Sequence, residues 1–373
     1  MKMLTLLIVA AAGFGFWVLG FSSDPTRSMY GYLFGFVSAL TIPLGCMFFV
    51  LIQHLTRAGW SVLTRRVAEF GMAVVPIFAV LFIPIVVFGH DLFPWSHTGH
   101  LDETLIKKAP YLNMSFFVIR AVIYFAIWTG IGVWFYRKSV EQDLGGRFEL
   151  TKTMGKVGTF SIILLALSTS FASFDWLMSL QPHWYSTVFG VYFFAGCFLA
   201  GLAFMSLMLM RSTVPVTAEH YQDLGKLLFG FTMFWAYIGF SQFMIYWYAN
   251  IPEETEFYLH RLEHGWSPVS YALIVTNFFI PFFLIMSRHA KRNKSVFAAG
   301  CIWIMLAHFV DIYWLVMPTS GAHHWQDYLV FDVAVLIGFV ALFLAAVAWV
   351  MKGISMVPKG DPRLPESIAF ENY

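Results

Sequence analysis

Five ionisable side chains fall inside stretches that are otherwise apolar: Arg120, Asp175, His308, Asp311 and Asp332. A charge at the centre of a bilayer helix costs about 2.5–3.5 kcal/mol on insertion scales, so each of them calls for a partner or a task. His308 and Asp311 are three residues apart, which in a helix puts them on one face. There an imidazole and a carboxylate can share a proton or take one from a substrate hydroxyl. Asp175 follows Ser168, Thr169, Ser170 and Ser173, hydroxyls able to carry hydrogen bonds or water toward it. Tyr124, four residues after Arg120, adds a polar group at similar depth, as do Gln242 and Tyr246, themselves four apart, and Tyr313 beside Asp311. These are candidates for a polar path through the membrane. Asp175, His308 and Asp311 are the leading candidates for a proton relay, with Arg120 biasing them by its opposite charge, and Asp332 and Glu69 are further candidates.

Each of these residues has a plain structural reading beside the chemical one. Arg120 can pair with an aspartate simply to hold two helices together. Asp175 and Asp311, near helix ends, can cap the following turn. Asp332 is close enough to its interface to be hydrated, and Glu69 opens an apolar run, where a helix amino terminus favours a carboxylate.

The elements that must position these groups follow from composition. Of 373 residues, 59% are hydrophobic and only 12% charged, half the charged share of a soluble domain, which excludes a soluble fold. The net charge of +2 gives no reason to expect a nucleic-acid partner. Ten apolar runs of bilayer length follow one another at about residues 4–21, 30–53, 69–88, 113–136, 157–180, 184–210, 225–250, 265–287, 296–317 and 326–351. The first is too long for a signal-peptide core and has no small-x-small site before Ser22, so it reads as a membrane helix. The expected fold is an all-α polytopic membrane protein.

Loop charge orients it. Eighteen of the 23 Lys and Arg lie at the amino terminus, after even-numbered runs or in the carboxyl tail, and only Arg27, Lys107, Lys108 and Arg261 follow odd-numbered runs. The positive-inside rule therefore puts both termini in the cytoplasm. The opposite loops are rich in Trp, Tyr and His, at His90–His100, Glu253–Trp266 and Thr319–Trp325. That pattern suits an aromatic belt or a face covered by a partner protein. Their His spacing matches no metal-ligand pattern, and no metal site is expected.

Cys46, Cys197 and Cys301 each lie within an apolar run, without CxxC or CxxCH, so no iron–sulfur ligand set and no covalent haem site is expected. Only His308 is well inside a run, and an intrinsic haem b usually needs paired intrahelical His. No phosphate-binding loop or nucleotide fingerprint occurs. Redox chemistry would then need a diffusible substrate or partner subunits.

Two segments repeat. FDWLMSLQP (Phe174–Pro182) and VDIYWLVMP (Val310–Pro318) each carry an aspartate in an apolar helix, then Trp, Leu and Met, and close on proline. With the aspartates four helices apart, the repeat keeps its direction across the membrane. It predicts two four-helix bundles and two peripheral helices: residues 1–29 (first helix and loop), 30–183 (first bundle), 184–325 (second bundle) and 326–373 (tenth helix and tail).

The stretch Phe174–Tyr192, FDWLMSLQPHWYSTVFGVY, together with Val310–Pro318, resembles the ActF-type integral membrane subunits of alternative complex III, relatives of the NrfD/polysulfide-reductase membrane-subunit family. The resemblance covers nearly the whole span set. It implies a membrane subunit of a bacterial quinol:electron acceptor (cytochrome c) oxidoreductase in the cytoplasmic membrane. The subunit would lack its own redox cofactor, with quinone a possible ligand and Tyr124, Gln242, Tyr246 and Tyr313 the candidates for its site. It would sit in lipid beside a larger NrfD-like quinol-site subunit, an iron–sulfur subunit and c-haem subunits. An acidic residue is common in the family where this chain has Gln181. A secondary transporter and a purely structural membrane anchor are the alternative readings of ten helices, a repeat and intramembrane charges.

Overall fold

The computed structural model describes residues 2–97, 102–145, 147–263, 265–321, 324–326 and 328–371. Among these residues there is no strand, and ten helices are long and apolar enough to cross a membrane. The chain is an all-α polytopic membrane protein. The spans are α1 (Met3–Ser23), α2 (Pro25–Leu55), α3 (Gly59–Val87), α4 (Met114–Gly145), α5 (Glu149–Leu180), α6 (Phe189–Met210), α7 (Ala218–Ala249), α8 (Ser267–Ile285), α9 (Lys294–Ser320) and α10 (Leu329–Val350). Ten crossings leave both chain ends on one face of the bundle, the terminal face, opposite a distal face. Thr98 to His100, His264, His323 and Tyr373, which belong to the histidine- and aromatic-rich loops and the tail, lie outside the described residues.

The helix α2 packs against α3, α5, α6 and α10 and is almost wholly buried. Helices α2 to α5 pack around one another, α6 to α9 do likewise, and α1 lies along α10 with both resting on α2. Where α2 crosses α6 the backbones touch. A Cβ on Gly45 would lie 1.9 Å from the Cys197 carbonyl oxygen, and one on Gly201 would lie 2.5 Å from the Gly45 carbonyl carbon. Lipid is as apolar as leucine, so small residues that allow close backbone packing are what hold such helices together. Gly45→Ala is therefore expected to lower the detergent-solubilised protein's melting temperature by the equivalent of about 1–3 kcal/mol. Gly130→Ala, with nothing within 4 Å of the new methyl, is expected to leave it unchanged; equal melting curves for the two variants would refute the tight crossing.

Proline breaks the spans where carbonyls find other donors. In α3, Pro76 and Pro84 each sit in the first turn of a new helical segment, Val75–Leu81 and Ile83–Val87, where the missing N–H is not needed. In α8 a π turn, Val275–Phe279, precedes Pro281. The Thr276 carbonyl, five residues before that proline, accepts instead from Trp303 Nε1 at 2.8 Å. The third span begins at Gly59 rather than near residue 69, because Trp60 to Arg66 are buried under the tail or half covered by it. Glu69 is thus not a helix-opening residue; it lies two turns inside its helical segment, Val62–Met72.

Candidate functional site

Three carboxylates predicted to lie inside the spans are buried toward the distal face, each in different company. Asp175, fully buried in the last α-helical turn of α5, receives Arg120 Nε at 2.8 Å on Oδ2 and Nη2 at 2.9 Å on Oδ1. Tyr124 donates to Oδ2 at 2.8 Å. Arg120 also donates to the Tyr111 carbonyl at 2.8 Å and lies against the rings of Tyr111 and Phe116, 3.9 and 4.4 Å from their centroids. This two-pronged pair, with Nη1 held by the Tyr111 carbonyl, ties α4 to α5. The serines before Asp175 do not lead to it: Ser168, Ser170 and Ser173 donate back to carbonyls of their own helix, and Ser168 also accepts from Trp128 Nε1. Hydroxyls in apolar helices commonly turn inward in this way.

Asp332 is buried rather than open at an interface. It is 3% exposed and takes Arg27 Nη2 at 2.6 Å and Nη1 at 3.1 Å, with Tyr313 donating at 3.2 Å. Tyr313 therefore belongs to this α2–α10 clamp, its single hydroxyl hydrogen shared between Asp332 and the Trp325 carbonyl, 2.8 Å away. Arg27, counted by sequence as a loop charge, lies in the first turn of α2 and is buried. Gly31, one turn further on, leaves the space for the carboxylate: a Cβ there would lie 2.6 Å from Asp332 Oδ1.

Asp311 differs from both. It is 2% exposed, and among the described residues no cation pairs with it. Tyr192 of α6 donates to Oδ1 at 2.5 Å and Trp235 Nε1 of α7 to Oδ2 at 3.0 Å. His308 is not its hydrogen-bonding partner. The imidazole turns to α2, its Nε2 2.8 Å from Thr41 Oγ1, and fits beside Gly196, where a Cβ would lie 2.9 Å from its Cε1. Three residues of helix put the two groups on neighbouring faces, and each face meets a different helix. The two repeated segments do fold alike, since each helix tightens into a 3₁₀ turn near its proline, at Met178–Leu180 and Met317–Ser320. Their aspartates nonetheless do different work, one in an ion pair and one with neutral donors only.

Both donors of Asp311 reach the wall of a cavity of about 590 Å³ between α6, α7, α8 and α9, closed toward the distal face by the short helix Pro252–His260. Gln242 lines it, donating to Tyr258 Oη at 3.2 Å and accepting from Ser186 at 3.3 Å. Tyr246 lies beside it and donates to the Tyr185 carbonyl at 2.9 Å. Arg261 forms one end of the cavity, 1% exposed, with no carboxylate pairing it among the described residues. It donates to the carbonyls of Trp314 (3.1 Å), Leu315 (2.9 Å) and Phe257 (2.9 Å) and to Gln181 Oε1 (2.7 Å). The Trp314 carbonyl lies four residues before Pro318 and so has no helical N–H to meet; Arg261 supplies one. Burial without an anion pulls the Arg261 guanidinium down to about 9, still protonated at neutral pH.

Glu69 belongs to a separate cluster at the terminal face. Arg65 Nε is 3.1 Å from its Oε1, and Arg66 Nε lies 3.0 Å from its Oε2, out of line for a hydrogen bond. Arg65 also meets Asp361 of the tail at 2.5 Å and Arg66 meets Asp143 of α4 at 2.8 Å. Arg66 further donates to Ser139 Oγ at 3.1 Å.

The structure thus brings Arg120, Tyr124 and Asp175 together, sets Tyr313 on Asp332, places Gln242 at the cavity wall with Tyr246 beside it, and leaves His308 and Glu69 apart from these groups. Sequence reasoning missed Arg27, Arg65, Arg66 and Arg261, all assigned to loops, and Tyr192 and Trp235, which read as apolar packing. Comparison with protein-family models and with curated proteins finds no match to this chain.

Proposed function

We propose that this chain is an integral membrane subunit of a bacterial quinol:electron acceptor oxidoreductase of the alternative complex III type. In this reading it has no redox cofactor of its own, and quinol is oxidised at a larger NrfD-like partner in contact with iron–sulfur and c-haem subunits. Its own part is to support quinol oxidation and to move protons. The observation that supports this part is Asp311: a buried carboxylate held only by neutral donors can gain or lose a proton without dissolving an ion pair, which Asp175 and Asp332 cannot do. Asp311 is therefore the relay residue, and Asp175, Arg120, Arg27 and Asp332 are struts.

Asp311→Asn keeps the shape and an acceptor for one of its two donors but removes the exchangeable proton. It is expected to leave the complex assembled and to slow quinol oxidation and proton release, each normalised to haem content, by about 10-fold or more, the lower end of what a positioned proton-transfer group contributes. Asp175→Asn is expected to lower yield and melting temperature while the normalised rate stays at the wild-type value. A normal normalised rate for Asp311→Asn would sink the relay. Orientation is tested separately: a reporter fused after the last residue is expected to be active only in its cytoplasmic form, and a periplasmic signal would reverse the topology.

A further inference from the structure

The cavity beside Asp311 has a property that its polar neighbours do not explain. Its walls are almost entirely apolar and aromatic, from Phe189, Phe240, Phe243, Phe257, Leu273 and Phe278, while most polar groups of its inner wall are engaged within the protein and the tyrosines Tyr237 and Tyr271 stand at its exposed rim. Tyr192 is spent on Asp311, Gln242 on Tyr258 and Ser186, and Arg261 on three carbonyls and Gln181. An occupant with a polar ring or head would meet chiefly the Tyr258 hydroxyl, which accepts from Gln242 and keeps its own hydrogen, and a cavity this apolar takes an apolar guest rather than water. Its volume lies within the range of sites that enclose small molecules.

Position narrows the guest further. Along α7 the lining runs from Met233 to Phe243 and along α8 from Ser270 to Phe279, roughly 15 Å at 1.5 Å per residue, about half the thickness of a bilayer's hydrocarbon core. The cavity is thus as deep as one leaflet. Ile274 and Phe279 on α8 and Phe240 on α7 are lining residues that are also exposed on the outside of the bundle, so the slot is continuous with the lipid-facing surface of a membrane protein. At its distal end the helix Pro252–His260 carries Glu253, Glu254 and Glu256 and no Lys or Arg.

We infer that this slot holds one acyl chain of a phospholipid from the distal leaflet, resident in the folded protein, with an amine-bearing zwitterionic headgroup such as phosphatidylethanolamine set against the acidic helix. The lipid fills the space between α7 and α8, where α8 is broken by its π turn and is the least buried of the ten spans. It completes the wall that carries the two donors of Asp311. The inference stands on the cavity and the membrane fold and is independent of the redox reading above.

The test uses the full chain with whatever subunits accompany it, purified in mild detergent and weighed by native mass spectrometry, with solvent extracts analysed for phospholipids and isoprenoid quinones. One phospholipid per chain is expected to survive purification, with phosphatidylethanolamine enriched over the bulk membrane. Ala236→Trp fills the slot from α7 and Ile274→Trp closes it from its lipid-exposed edge; each is expected to release that lipid, whereas Leu306→Trp on the exposed face of α9 retains it. Because Ile274 is more than half exposed, that variant folds even if Ala236→Trp does not. Delipidated wild type is expected to regain its melting temperature with phosphatidylethanolamine vesicles, and Ile274→Trp to be indifferent to them. Retention of the lipid by both filling variants, a stoichiometric quinone in its place, or a slot occupied by a partner subunit's side chains would each overturn the inference.

Discussion

Arg120→Ala should destabilise the folded protein by about 3–5 kcal/mol, the range measured when one member of a buried ion pair is deleted. The size of the effect comes from what is left behind. Asp175 is fully buried, and without the guanidinium its two oxygens keep a single side-chain donor, Tyr124. The Tyr111 carbonyl loses its donor too, and the rings of Tyr111 and Phe116 lose the cation packed on them. Replacing both partners, as in Arg120→Met with Asp175→Leu, removes the stranded charge and is expected to recover most of the loss, since a buried pair and an apolar pair of similar volume are often equivalent. The measurement is the fraction of monodisperse protein and its melting temperature in detergent. A wild-type value for the single variant would show that the pair is not a strut, and a double variant worse than the single would show that the charge itself is needed.

Arg66→Ala is the second large expected effect, again about 3–5 kcal/mol. Arg66 is fully buried and lies between Glu69 and Asp143, so its loss leaves two carboxylates facing a gap at the junction of α3 and α4. Arg65 still serves Glu69 and Asp361, which keeps the cost from doubling. Asp143→Asn in the same chain removes one of the stranded charges and is expected to restore part of the stability. Arg363→Ala, whose pair with Glu366 is solvent-exposed, is expected to change nothing measurable. If Arg66→Ala and Arg363→Ala melt together, the cluster at the terminal face does not hold the fold.

How far the sequence could be read follows from these particulars. Length and hydropathy announce ten spans because lipid imposes the same requirement on every crossing, that about 20 residues satisfy their own backbone. Arg120 with Asp175 was legible as a pairing because both lie deep inside apolar runs. Arg27 and Arg261 were not, because they stand in the first turn of a span and in a connecting segment, where a charge normally meets water; only the fold brings Asp332 or the carbonyls around Pro318 over them. Asp311 stands out as a carboxylate inside an apolar run, yet the residues that hold it do not. The i to i+3 spacing to His308 states which helix face each residue occupies but not which neighbour that face meets, and the true partners, Tyr192 and Trp235, come from two other helices. Two aromatic side chains in runs full of aromatics carry no mark of such a role.

The tail adds a constraint of timing. Asp361 meets Arg65, the Gly360 amide donates to Asp143, and Ser367 donates to the Trp60 carbonyl and accepts from the Leu63 amide. Three of these contacts join the tail to a segment made about 300 residues earlier, and the fourth, from Gly360, reaches back 217 residues to α4. During translation Arg65 must therefore wait for Asp361, with Glu69 as its nearby anion, while seven further spans are inserted. The terminal face closes only once the tail has left the ribosome. A ribosome stalled before residue 360 would hold a protein whose spans are in place but whose seal is missing, and quality-control proteases acting on that face would meet it open.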